Sequence, residues 1–179
     1  MHLIILPGNS KEFNEQWLYD SEAAYKDMFD SVTTHVYDHW KSGEANADEE
    51  AEIVKLEEEA GKLDGEYVIF AKSVGTLITV SAVSKEKVMP KKCIFLGSPW
   101  GNQLEKAFNK ELAEALAKYA VPTLFIQQTD DMFLKCAQLE EVINGNKVKD
   151  YKLIEIPGSN HAYDNYADIK QWVQEFLEA

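Results

Sequence analysis

The sequence predicts an α/β fold: a single domain over residues 1–179, built as a three-layer sandwich in which a six-stranded, mostly parallel sheet carries helices on both faces. Three observations lead there. Six short apolar runs alternate with segments of helical periodicity, the pattern of right-handed βαβ units. One helical segment, Val74 to Val83, is apolar nearly all round and so belongs inside the molecule. No repeat, low-complexity tract or linker divides the 179 residues, of which 45% are hydrophobic, and that length suffices for one core.

Leu3 to Leu6 reads as a short buried strand ended by the turn residues Pro7-Gly8-Asn9-Ser10. A helical stretch follows, with Phe13, Trp17, Leu18, Tyr25, Met28, Phe29 and Val32 on its apolar face and a second N-cap expected near Asp20-Ser21. Thr34 to Tyr37 is the second strand, closing with Asp38-His39-Trp40. From Glu44 to Asp64 there are nine carboxylates and two lysines, with Ile53, Leu56, Ala60 and Leu63 at three- and four-residue steps: a solvated amphipathic helix. The third strand, Tyr67 to Phe70, runs without a spacer into Ala71-Lys72-Ser73. The helix from Val74 follows, and then a fourth strand, Cys93 to Leu96, ending at Gly97-Ser98-Pro99-Trp100-Gly101. Leu104, Phe108, Leu112 and Leu116 recur every fourth residue and predict one helix up to Val121-Pro122. Thr123 to Ile126 is the fifth strand, ended by Gln127-Gln128-Thr129-Asp130-Asp131-Met132. A shorter helix over Cys136 to Ile143 stops at Asn144-Gly145-Asn146. Lys152 to Ile156 is the sixth strand, followed by Pro157-Gly158-Ser159-Asn160-His161, and Ile169, Trp172, Val173, Phe176 and Leu177 mark the buried face of a last helix.

Composition removes several function classes. A net charge of −13 argues against nucleic acid, whose binders normally show a basic face. Cys93 and Cys136 show neither metal-ligand nor disulfide spacing and read as small buried residues in a reducing compartment, so no metal site and no cofactor are expected. No apolar run is long enough to span a membrane, and the first is too short for a signal-peptide core, so a soluble, cytoplasmic protein without membrane partners is expected. Nothing in the sequence speaks to oligomeric state.

The chemistry centres on Ser73. A serine hydroxyl needs a base to take its proton and N–H groups to hold the oxyanion that forms. A sharp strand-to-helix turn serves both needs, and small residues two before and two after the serine, Ala71 and Gly75, let strand and helix approach as in G-x-S-x-G. A serine after a buried strand is equally an ordinary helix N-cap. In a parallel sheet, functional groups collect at the carboxyl ends of the strands. Gly8-Asn9, Ser73, Asp130-Asp131 and His161 follow strands one, three, five and six on that edge.

Serine, then an aspartate after a later strand, then a histidine after the last strand is the chain order of the α/β-hydrolase triad. The chain resembles a small, lidless α/β-hydrolase, closest to the short serine hydrolases of the retinoblastoma-binding-protein-nine type. The shared features are Ile5-Leu6-Pro7-Gly8-Asn9, the serine elbow, Thr129-Asp130-Asp131-Met132-Phe133-Leu134 and Gly158-Ser159-Asn160-His161. The resemblance implies a sheet lacking the first two strands of the full fold. It implies Ser73 as nucleophile, His161 as general base and then acid, and Asp131, in preference to Asp130, as the carboxylate orienting the imidazole. It also implies an oxyanion hole from the N–H groups of Asn9 and Val74, although Pro7-Gly8-Asn9 is equally an ordinary strand-to-helix turn.

The sequence departs from the family pattern at Ala71, at Lys72, where a histidine is common, and at Gln127-Gln128, where many relatives have glycine. Lys72 reads as a solvated surface lysine, with recognition of a negatively charged substrate as the alternative. His2 and His35 read as packing or surface residues, and His39 as a partly buried histidine rather than a substrate contact. The interval from Gly97 to Val121 leaves no room for a lid. An open site rimmed by Trp100, Met132 and Phe133 suits a small-molecule or peptide-like acyl substrate, although all three also suit helix-entry packing. The expected activity is hydrolysis of an ester, thioester or amide through an acyl-serine. A catalytically idle binding or scaffold protein on the same fold is the alternative, with a flavodoxin-like phosphate cradle at Pro7–Ser10 a weaker third.

Overall fold

The structure, a computed structural model, describes residues 1–101 and 111–179. In chain order its elements are β1 (His2–Leu6), α1 (Lys11–Tyr25), β2 (Val32–Thr34), α2 (His39–Ser42), α3 (Glu49–Ala60), β3 (Tyr67–Lys72), α4 (Val74–Ser84) and β4 (Lys92–Leu96). After these come α5 (Leu112–Lys118), β5 (Thr123–Gln128), α6 (Cys136–Gly145), β6 (Tyr151–Ile156) and α7 (Tyr166–Glu178). The strands form one sheet in the order β2-β1-β3-β4-β5-β6. Every described pairing is parallel, with Ile4 beside Ile69, Ile69 beside Cys93, Phe95 beside Phe125 and Ile126 beside Ile154.

A strand covered on both faces needs apolar side chains at consecutive positions, and β1, β3, β4 and β5 are buried along nearly their whole length. The edge strands differ. β2 has three half-buried residues, and β6 turns Lys152 and Glu155 to solvent, which discourages pairing with another chain.

From β2 onward the crossovers step in one direction across the sheet, whereas β1 to β2 steps the other way. Right-handed connections therefore put α3 to α6 on one face and α1 on the other. In agreement, α4 packs against α3 and α5, and α1 against α7. Phe70 lies against Trp17 and Tyr25 of α1, with ring centroids 5.9 and 4.8 Å away. Since side chains alternate along a strand, Val68, Phe70 and Lys72 face α1, and Ile69 and Ala71 face α4. Helix α4 has every residue from Val74 to Ala82 buried, in keeping with its all-round apolarity.

Three expectations shift. Helix α1 runs unbroken through Asp20-Ser21 because Ser21 is buried against the core rather than capping a new helix, and it ends at Tyr25, leaving Met28 and Phe29 in the turn. Strand β2 lies two residues earlier than expected at its start. His35 N–H makes the last rung to the Ile5 carbonyl, and the chain then leaves the ladder with Tyr37 buried, its hydroxyl donating to the Pro7 carbonyl at 2.8 Å. The acidic helix α3 is not wholly solvated: Glu52 is buried with His35, whose Nε2 lies 3.0 Å from Glu52 and Nδ1 2.6 Å from Glu59. In α5, Leu112 and Leu116 are buried as the periodicity requires. Leu104 and Phe108 lie outside the described residues, and the expectation of no lid depends on that same stretch. Cys93 and Cys136 are both buried and unpaired. Among the described residues no helix is long and apolar enough to cross a membrane.

Candidate active site

In this strand order the chain leaves β1 for one side of the sheet and β3 for the other, so a crevice opens above their carboxyl ends. Ser73 sits there. Its backbone is at φ 54°, ψ −123°, outside the regions that L-residues favour. Its N–H donates to the Leu96 carbonyl at 2.9 Å, and its carbonyl accepts from the Thr76 N–H at 2.9 Å and hydroxyl at 2.7 Å. Gly75 makes the turn possible: a Cβ there would lie 2.8 Å from the Pro7 carbonyl oxygen and 2.9 Å from the Leu6 Cβ. The absent side chain lets the N-terminus of α4 rest on the end of β1. Ala71 is completely buried on the same side, small enough for that approach.

The carboxylate beside the histidine is that of Asp131. His161 Nδ1 and Asp131 Oδ2 are 2.7 Å apart, and the same oxygen accepts the Tyr163 hydroxyl at 2.7 Å. Oδ1 accepts the Phe133 N–H at 2.9 Å. Burial pushes the Asp131 carboxyl pKa up, but its hydrogen bond to His161, that residue's charge and the donors Phe133 and Tyr163 outweigh it, leaving the carboxyl below its ordinary range. Asp130 instead points outward, paired with Lys135 at 2.8 Å. His161 Nε2 is buried without a hydrogen-bond partner among the described residues. It shares a cleft of about 430 Å³ with Ser73, which is half-buried and not hydrogen-bonded to it. Bonds of that type often close only once substrate is present.

Sequence reasoning missed most of what holds these groups. Gln127 and Gln128 act as braces beneath the loops: Gln127 accepts the Ser98 N–H at 2.9 Å and donates to the Leu134 carbonyl at 2.6 Å. Gln128 accepts the His161 N–H at 2.9 Å and donates to Asn160 Oδ1 at 3.0 Å, and its own N–H donates to the Tyr163 hydroxyl at 2.9 Å. Gly97, at φ 57°, is the floor under the imidazole, since a Cβ there would lie 2.6 Å from His161 Cε1. A glycine immediately after a strand on the functional edge was the available signal.

Residues 7–10 are held as firmly. His39 Nε2 and Trp40 Nε1 donate to the Asn9 carbonyl at 2.8 and 2.7 Å, and the Asn9 side chain bonds to Ala45, Asn46 and Ala47. These contacts occupy the carbonyl and the side chain of Asn9, not its N–H. His39 is thus a loop anchor. Val74 supplies the first N–H of α4, which has no partner within the helix, and both residues line the cleft.

Two expectations fail. Trp100 does not rim the site: it is fully buried beneath it, donating to Thr76 Oγ1 at 3.1 Å and lying edge-on to Phe95 and Phe125. Its apolar bulk fills the space under the elbow. Lys72 is not a solvated surface lysine: it is 3% exposed, because its place in β3 points it at α1, and its Nζ lies 5.1 Å from the Trp17 ring centroid. Met132 and Phe133 do line the cleft, as does Phe13.

No family model matches the sequence, and no curated protein matches it. Solved structures do resemble it. A serine hydrolase involved in carbazole degradation aligns at 13% identity and TM-score 0.73, over 99% of this chain and 91% of that one. A Xanthomonas campestris pv. campestris protein described as a hydrolase of the α/β superfamily aligns at 13% identity and TM-score 0.71, over 99% and 98%. An esterase from Pyrococcus furiosus aligns at 15% identity and TM-score 0.75, over 99% and 80%. The six-stranded parallel sheet with its flanking helices is therefore an α/β-hydrolase-like fold.

Proposed function

We propose that the protein is a serine hydrolase that cleaves a carboxylic ester, thioester or amide through an acyl-Ser73 intermediate. The observation that carries this reading is the buried His161–Asp131 pair at 2.7 Å, with the far imidazole nitrogen uncommitted in the cleft that holds Ser73. The fold neighbours and the resemblance to the small hydrolases of the retinoblastoma-binding-protein-nine type support it.

In the first half-reaction His161 Nε2 takes the Ser73 proton as Oγ attacks the carbonyl carbon. The carbonyl π electrons move to oxygen, and the N–H groups of Val74 and Asn9 hold that oxyanion. As the tetrahedral species collapses, the bond to the leaving group breaks and the imidazolium protonates it. In the second half, His161 deprotonates a water that attacks the acyl carbon, and the proton returns to Ser73 as the acid departs. Asp131 keeps the proton on Nδ1, so Nε2 is the basic nitrogen, and it stabilises the imidazolium. Tyr163 and the Phe133 N–H hold the carboxylate in place. Phe13 and Met132, 72% and 67% exposed at the cleft, give an acyl chain apolar surface to cover.

A fluorophosphonate probe should label the wild-type protein covalently, and labelling should disappear in Ser73→Ala and fall steeply in His161→Ala. Undiminished labelling in both variants refutes the assignment.

A further inference from the structure

Lys72 has no role in the chemistry just described, yet it lines the same cleft as its neighbour Ser73. A lysine is almost never fully buried unless its ammonium is paired, and an unpaired one normally extends its head to water. Lys72 does neither. It is 97% buried by accessible surface, and among the described residues its Nζ makes no hydrogen bond and no ion pair. The Trp17 ring face at 5.1 Å offsets part of the desolvation but accepts none of the three N–H bonds. The charged groups that act on it are Asp164, which is exposed, and Asp131, whose oxygens accept from His161, Tyr163 and Phe133. Burial lowers the Lys72 pKa to about 8 even though Asp164 and Asp131 pull it up, so the ammonium form prevails at neutral pH.

The charge around the cleft points the same way. The chain has 31 acidic and 18 basic residues, but among the described residues no carboxylate lines this cleft and Lys72 is the one lysine that does, so the local charge there is opposite to that of the molecule. A methionine or leucine at the end of β3 would pack against Trp17 without the cost of burying a cation. An ammonium with open donor capacity, poised one residue from the nucleophile, suits a partner that arrives with the substrate.

We propose that Lys72 forms an anion subsite, and that the natural substrate is an ester or thioester bearing a carboxylate a few bonds from the scissile carbonyl. The ammonium donates to that carboxylate when the substrate seats and fixes the scissile carbonyl over Ser73. This inference rests on the acyl-Ser73 reading.

The test compares p-nitrophenyl hydrogen glutarate with its neutral methyl ester, and 3-carboxyphenyl acetate with phenyl acetate, so that the charge is placed on the acyl or the leaving side. At pH 7 the wild-type kcat/KM should favour the charged member of one pair on the order of 10- to 100-fold, the range of a charge-assisted hydrogen bond. In Lys72→Met, or in Lys72→Gln should the first fail to fold, that ratio should fall to about one. A wild-type ratio near or below one in both pairs, or a ratio that survives both substitutions, overturns the proposal. Should the wild type hydrolyse none of the four esters and escape the fluorophosphonate, the acyl-Ser73 reading is what has failed. Calorimetric titration of Ser73→Ala with monomethyl glutarate then decides the subsite alone: binding abolished by Lys72→Met supports it, and no binding overturns it.

Discussion

Gly97→Ala separates positioning from stability at the heart of the site. The added Cβ would lie 2.5 Å from Tyr163 Cε2, 2.6 Å from His161 Cε1 and 2.9 Å from His161 Nδ1. Carbon atoms in contact settle at about 3.5–4.0 Å, so the imidazole must retreat by about 1 Å. It cannot do so freely, because the His161 backbone N–H is tied to Gln128 and the ring Nδ1 to Asp131. Displacement on that scale costs roughly 100-fold in rate. Position 97 is also left-handed, at φ 57°, where an L-residue costs about 1–2 kcal/mol, and overpacking adds roughly 1–3 kcal/mol. Gly65→Ala provides the control. It is also left-handed, at φ 112°, with nothing within 4 Å of its Cβ, and it precedes β3 at the opposite edge of the sheet. The assay is the second-order rate of fluorophosphonate labelling, read beside the thermal midpoint for both variants. Gly97→Ala should label about 100-fold more slowly than wild type while Gly65→Ala labels like wild type at a lowered midpoint. A folded Gly97→Ala protein that labels within twofold of wild type refutes the reasoning.

Asp131→Asn should lower p-nitrophenyl ester hydrolysis on the order of 10³- to 10⁴-fold, because an amide donating to Nδ1 enforces the wrong tautomer, whereas Asp130→Asn should stay within twofold. Equal losses in the two variants would remove Asp131 from its special position. The His35 clamp predicts a pH-dependent stability. Burial lowers the His35 pKa, but the hydrogen bonds and charges of Glu52 and Glu59 outweigh it, so the folded pKa lies above the unfolded value of about 6.5. The stabilisation is therefore complete below about pH 6.5 and is lost as pH rises through the raised folded value. Urea unfolding of wild type and His35→Gln should show a stability gap that is wide at pH 6 and narrower at pH 9. A gap that widens with pH would contradict the sign.

The layers, the parallel sheet and the edge on which the site sits were legible because they depend on local pattern. Apolar runs such as Leu3–Leu6 and Cys93–Leu96 and the helical spacing of Ile169, Val173 and Phe176 constrain backbone geometry within a few residues. That Ser73, Asp131 and His161 gather at one rim was legible for a related reason, since their order along the chain is set by the topology that brings them there. Burial at the rim was not legible. Lys72 and Trp100 were misjudged because polarity and loop position say little about which face a strand's last residue presents, or about what space lies beneath a tight turn. The alternation within β3 decides the first, and the hole under Thr76 the second. The braces were hidden for a different reason. Gln127, Gln128 and Tyr163 bond to partners 7 to 35 positions away, and nothing in their immediate neighbours marks a glutamine as a cross-link.

Those braces also account for the strain at the site. Ser73, His161 and Tyr163 all have positive φ, and Gly97 between them does too. Each such non-glycine residue costs on the order of 1–3 kcal/mol and persists only where its surroundings over-determine it. Here they do: Leu96 and Thr76 hold Ser73, Gln128 and Asp131 hold His161, and Asp131, Gln128 and the Trp17 indole, which donates to the Tyr163 carbonyl at 3.0 Å, hold Tyr163. A sequence needing only a stable sandwich would gain by relaxing these turns. Glu86, Lys147 and Asp150 share the positive φ away from the cleft, but Ser73 and His161, which line it, are each fixed by at least two bonds from buried partners, as a geometry held at the expense of local backbone energy requires.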